Sequence, residues 1–136
     1  MQVSEQVKGF FATRDRTNIL ATAGRDGKPN VGAFGSPSLV NDETMAMMLG
    51  DNRTFRNLAE NPQGVFLIIL HGAVGMGMKG CRLYVTVKET ADAGEKFDAM
   101  IAPIRERIGA GADMLKHYVE FAVTDARPIV DFGQGV

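Results

Sequence analysis

Apolar and polar positions change period several times along this chain, and each change marks an element. Val7, Phe10 and Phe11 fall at i, i+3 and i+4 behind Ser4, which predicts a short capped helix with one apolar face. Asn18 to Ala23 reads as a strand. Gly24-Arg25-Asp26-Gly27 then forms a turn, because Asp-Gly tolerates positive φ, and Lys28 to Ser36 returns antiparallel. Asn41-Asp42-Glu43 marks a further turn into a third strand, Thr44 to Leu49. Phe55, Leu58 and Ala59 give a short helix with one buried side, ended by Asn61-Pro62. Gly64 to Leu70 is continuously apolar, which predicts a strand covered on both faces. Arg82 to Lys88 alternates, with Leu83, Val85 and Val87 on one side. Asp92 is placed to cap a longer helix whose stripe is Phe97, Met100, Ile101, Ile104 and Ile108, with a kink or break expected at Pro103. His117 to Thr124 alternates again. About six short strands and three helices, with tight hairpin turns, predict a mainly β, closed or nearly closed antiparallel barrel with flanking helices.

Composition narrows the class. The 136 residues suit a single domain over 1–136. Sixteen glycines fit short strands and tight turns better than a helical bundle. A net charge of −1 with interspersed signs gives no basis for binding nucleic acid or an acidic membrane surface. No apolar run approaches the about 20 residues of a bilayer span, and Met1-Gln2-Val3-Ser4-Glu5 lacks a signal-peptide pattern, so a cytoplasmic protein is expected. The single cysteine, Cys81, reads as a small core residue.

Several motifs lead nowhere. Gly75-Met76-Gly77-Met78-Lys79-Gly80 matches the dinucleotide fingerprint letter by letter, yet it runs into a strand pattern where that fingerprint must open a helix. Two histidines and one cysteine are too few for a metal site built from those ligands, and none is expected. His117 reads as a partly exposed structural residue. No G-x-S-x-G elbow surrounds Ser36 or Ser38. Met45, Met47 and Met48 read as core filling.

The segment Gly50-Asp51-Asn52-Arg53-Thr54 holds more. With Asn52 as N-cap, the backbone N–H groups of Arg53 and Thr54 are free, and a helix start offers them, with its dipole, to an anion. Thr54 adds a hydroxyl, Arg53 a forked cation, and Arg56 stands one turn further on. That is a phosphate monoester site in outline. Asp51 opposes it unless its carboxylate points away. The plainer reading is a capped surface helix with solvated arginines.

In order and spacing, Ile19-Leu20-Ala21-Thr22, Asp26-Gly27-Lys28-Pro29-Asn30-Val31, Gly50-Asp51-Asn52-Arg53-Thr54 and Asn57-Leu58-Ala59-Glu60-Asn61-Pro62 resemble the pyridoxamine 5′-phosphate oxidase-like FMN-binding split barrels. The fit runs from about Gln6 to Phe66 and continues only in strand–helix–strand plan. The resemblance implies a six-stranded split barrel and a homodimer with FMN at the interface. It implies that Asn30, Gly32, Ala33, Phe34 and Ser36 lie along the isoalloxazine, with Gly32 and Gly35 permitting close backbone approach. Leu49, Gly50, Asp51 and Asn52 would approach the pyrimidine and ribityl side, and Arg53 and Thr54 would hold the phosphate.

The expected function is hydride or electron transfer through FMN, with no catalytic residue assigned, since a flavin reacts at its own ring. A deazaflavin (F420) reductase of the same fold and a non-enzymatic flavin carrier stay open. Oxidation of pyridoxamine phosphate itself is not expected. The chain has no tryptophan and ends at Phe132-Gly133-Gln134-Gly135-Val136, without the oxidase's C-terminal Arg/His/Trp segment. The glycine-rich stretch Gly72 to Gly80 is expected to form a loop between strands that could shape a substrate opening.

Overall fold

Alternation along the strands sorts apolar side chains onto one face of a single seven-stranded antiparallel sheet. The computed structural model describes residues 1–136. The elements are α1 (Glu5–Ala12), β1 (Arg16–Ala23), β2 (Pro29–Phe34), β3 (Ser38–Asn41), β4 (Thr44–Leu49), α2 (Arg53–Glu60), β5 (Gln63–Leu70), β6 (Gly80–Ala91), α3 (Glu95–Ile108) and β7 (His117–Pro128). The sheet order is β2-β1-β5-β6-β7-β4-β3. Strand β6 is shared: its first half pairs with β5, and its whole length pairs with β7 through two register shifts. Such bulges bend a strand, and here they curl the sheet around its core.

Seven strands are present where six were expected. The extra one, β3, is four residues long and follows Pro37 directly, so its pattern reads as part of a turn. The edges β2 and β3 stay unjoined, which makes the barrel split rather than closed. One side chain bridges the gap. The Ser36 hydroxyl accepts from the Met48 N–H at 3.0 Å and donates to the Met48 carbonyl at 3.3 Å.

The inner core is built from Leu20, Met45, Met47, Leu49, Phe66, Ile68, Leu83, Val119 and Phe121, with Val7 and Phe10 of α1 joining it. Phe66 and Phe121 meet edge to face at 5.4 Å. Cys81 is fully buried there, and burial pushes its thiol up to about 12, so it behaves as a small apolar residue. A second core lies outside the sheet, where Ile101 and Ile104 of α3 pack on Ala46, Met48 and Tyr118. Strand β4 is therefore covered on both faces, as is the first half of β7. Strand β5, expected in that role, is covered only on its Phe66 and Ile68 side. Val65, Leu67 and Ile69 remain partly exposed on the other.

The helices follow their caps with one exception. Ser4 accepts from the Val7 N–H, and Asn52 accepts from the Phe55 N–H at 2.9 Å. Asp92 does not cap α3. That helix begins after Gly94 with no side-chain cap, because the Asp92 carboxylate is engaged by His117. Helix α3 also runs through Pro103 without a break, and its last apolar residue, Ile108, is 55% exposed. In α2 the buried residues are Thr54 and Leu58, while Ala59 is exposed.

Candidate functional site

Helix α2 starts against β1 and β2, and two side-chain hydrogen bonds hold it there. Asn57 Nδ2 donates to Thr22 Oγ1 at 3.1 Å, and Asn30 Nδ2 donates to Thr54 Oγ1 at 3.4 Å. The first helical hydrogen bond runs from the Arg56 N–H to the Asn52 carbonyl. The N–H groups of Arg53 and Thr54 precede it, so they point out of the helix start without a backbone acceptor.

Between the flank of α2 and the β1–β2 hairpin lies a largely polar recess of about 380 Å³, bordered by Arg53, Arg56 and Asn57 of the helix and by Lys28 and Asn30 of the hairpin. Neither Arg53 nor Arg56 takes part in an ion pair, whereas Arg82, Arg105 and Arg127 all do. Two carboxylates also border the recess, and each is occupied by a turn. Glu60 accepts from the Arg25 N–H at 2.8 Å, and Asp26 accepts from the Lys28 N–H at 3.0 Å. Free N–H groups, a helix dipole and unpaired guanidinium groups together suit an anion with several acceptor oxygens. Lys28 and Asn57 were absent from the residues expected on sequence grounds. Lys28 closes the hairpin turn, and only the fold of that hairpin over α2 brings it to Arg53.

Asp51, the residue expected to oppose an anion, is turned away. Its Oδ1 lies 2.5 Å from His117 Nε2, and the other ring nitrogen, Nδ1, lies 2.6 Å from Asp92 Oδ1. The imidazole stacks on Phe55 of α2 with ring centroids 3.6 Å apart and planes within 2°. His117 is buried rather than partly exposed, because it fills the space between α2 and the β6–α3 turn. Burial works against its charged form, but the carboxylates of Asp92 and Asp51 outweigh it and raise its pKa above the ordinary 6.5.

The remaining expected residues divide by their surroundings. Asn30, Gly32 and Phe34 face α2, while Ala33 faces outward. The space above Gly32 holds the ring of Phe34, since a Cβ there would stand 2.8 Å from Phe34 Cζ. The glycine thus admits an aromatic ring of the chain itself, whereas nothing lies within 4 Å of the corresponding point at Gly35. Leu49 is fully buried in the inner core and its carbonyl accepts from the Lys116 N–H. Gly50 admits the Met114 carbonyl, which would be 2.8 Å from a Cβ. Ser36 bridges the split. Leu49, Gly50 and Ser36 are therefore engaged by the fold, and the open backbone edge beside the recess belongs to β2.

A split antiparallel barrel with a polar, arginine-bordered recess between a helix and an open edge strand is a fold of the FMN-binding split-barrel type. The chain belongs to the family described as pyridoxamine 5′-phosphate oxidase, which it matches over residues 3–129. No curated protein matches it by sequence. Among solved structures it is similar to an FMN-binding protein from Syntrophomonas wolfei subsp. wolfei (TM-score 0.80, 22% identity, covering 93% of this chain and 85% of that one). It is also similar to HutZ, the heme storage protein from Vibrio cholerae (TM-score 0.67, 22% identity, 98% and 100% covered). A third similar structure is an F420 reductase (TM-score 0.68, 16% identity, 91% and 98% covered). At these identities the likeness is one of fold.

Proposed function

We propose that this protein binds FMN between two copies of the chain and passes hydride or electrons through it. The observation that carries this reading is the first turn of α2, which has two N–H groups free of backbone acceptors and whose unpaired Arg53 and Arg56 border a polar recess along the helix flank. A terminal phosphate monoester fits that chemistry, and the open edge of β2 supplies backbone groups for a planar heterocycle with N–H and carbonyl functions. Bound FMN would supply the redox chemistry at its own ring. The chain's task is then to hold the phosphate with Arg53, Thr54 and Asn30, to orient the ring along β2, and to exclude water with the second copy. A further recess of about 870 Å³ opens beside Gly35 and Ser36, with Arg14 and Arg107 on its border, and offers a small acceptor a place near the end of β2.

The test is a titration of apo-protein with FMN and with riboflavin. FMN is expected to bind more tightly, and Arg53→Ala to weaken FMN by about one to two decades with little effect on riboflavin. Equal affinity for the two flavins would overturn the phosphate assignment. Mass spectrometry of the cofactor that copurifies separates FMN from F420 and heme, and steady-state turnover with reduced nicotinamides separates an enzyme from a carrier.

A further inference from the structure

We propose that His117 is a positioning residue for the anion recess: it holds the Asp51 carboxylate away from the helix start that would otherwise draw it in. This rests on the reading of that recess as the phosphate site. Asp51 immediately precedes the N-cap Asn52. A carboxylate there is attracted by the same features that attract a phosphate, the free N–H groups of Arg53 and Thr54, the helix dipole and the Arg53 guanidinium. Left free, Asp51 would compete with the ligand by occupying its donors and by charge repulsion.

The imidazole prevents this through a short chain of contacts. Nε2–H donates to Asp51 Oδ1 at 2.5 Å, and Nδ1–H donates to Asp92 Oδ1 at 2.6 Å. Both nitrogens donate at once only in the imidazolium form, and two carboxylates facing one ring stabilise that form. The side chains of Asp51 and Asp92 are 75% and 74% exposed, so packing does not fix them. The ring is fixed, because His117 is buried and stacked on Phe55, the third residue of α2. The same helix that presents the donors therefore carries the surface on which the restraining ring rests. Asp92 sets the direction of the restraint by holding the far nitrogen.

A purely structural His117 would affect any ligand of the site alike. A residue that restrains Asp51 would affect an anionic ligand alone, and its loss would be repaired by removing the Asp51 charge. His117→Phe keeps an aromatic ring against Phe55 and deletes both N–H donors, so the stack on α2 is preserved. FMN and riboflavin titrations, followed by flavin fluorescence, are made on the full chain and on His117→Phe, Asp51→Asn, the double variant and Arg53→Ala. FMN affinity is expected to fall about three- to tenfold in His117→Phe, to return in the double variant, and to hold in Asp51→Asn, with riboflavin unchanged throughout. Failure of Asp51→Asn to rescue, or an equal loss for riboflavin, would overturn the role of His117 while Arg53→Ala still weakened FMN. An Arg53→Ala variant that bound FMN normally would overturn the phosphate site and this role with it.

Discussion

Charged side chains carry this molecule's most specific local chemistry, and Glu120 is the clearest case. It is buried on β7, where it accepts from the Tyr118 hydroxyl at 2.7 Å and from Lys96 of α3 at 3.1 Å, with Lys88 3.6 Å away. Burial raises its pKa, but the Tyr118 and Lys96 hydrogen bonds and the charges of both lysines prevail and hold the carboxyl below its ordinary 4.5. A carboxyl depressed on folding adds stability above its unfolded pKa and loses it as pH falls through the folded value. Glu120→Gln is therefore expected to lower stability by roughly 1–3 kcal/mol at neutral pH. In denaturant titrations the gap to the parent protein should close in acid, below about pH 4. A gap that is constant down to acid pH would mean that Glu120 contributes by packing alone. None of this could be read from the sequence. Tyr118 and Glu120 alternate visibly along β7, but Lys96 reaches Glu120 only because α3 crosses that face, and helix placement leaves no local signature.

Elements were legible wherever a period or a cap was strong. Ser4 and Asn52 cap as their spacing predicts, β6 and β7 stand where alternation puts them, and β1 and β4 stand between the turns that bound them. The errors have physical causes. Strand β3 is too short for a period to develop beside Pro37, and Asp92 was claimed by a partner 25 residues away in sequence. The apolar run of β5 predicts cover on both faces, yet only the Phe66 and Ile68 side is covered within the chain. The glycine-rich motif is explained by geometry. Gly75–Gly77 forms one 3-10 turn, and the chain then enters β6 at Gly80, with φ +141°. A Cβ on Gly80 would stand inside contact distance of the Ile68 carbonyl oxygen, on the neighbouring β5. The third glycine thus serves close strand approach rather than a pyrophosphate. Gly80→Ala is expected to cost more than about 2 kcal/mol by thermal denaturation, while Gly77→Ala, with nothing within 4 Å, should cost far less. Equal costs would remove the close approach as the reason for Gly80.

At the scale of the whole molecule, one face is unfinished. Along β2, β1, β5 and β6 the register aligns Val31, Ala21, Val65 and Tyr84 in one row, and Ala33, Ile19, Leu67 and Arg82 in the next. Six of these eight residues are aliphatic, no helix covers them, and Val31 is 69% exposed. At the other end of this same outer face α3 covers β4 and β7, and no such cover lies over β2, β1, β5 and β6. The face runs up to the open β2 edge, so a second copy seated on it would lie against that edge. A net charge of −1 does little to oppose self-association. A symmetric pair buries the same patch on each copy, and a stable interface needs about 1,200–2,000 Å² in total, which a four-stranded face can supply. Val31→Glu tests this directly. Within one chain the side chain already faces solvent, so folding and thermal stability of the isolated subunit should be unaffected. Across a two-fold interface it would bury an unpaired charge, which is strongly unfavourable. Sedimentation equilibrium is expected to show a dimer for the parent chain, tightened by FMN, and a monomer with weakened FMN binding for Val31→Glu. A parent protein that stays monomeric while retaining its flavin would place the whole site within one chain and end the case for this face.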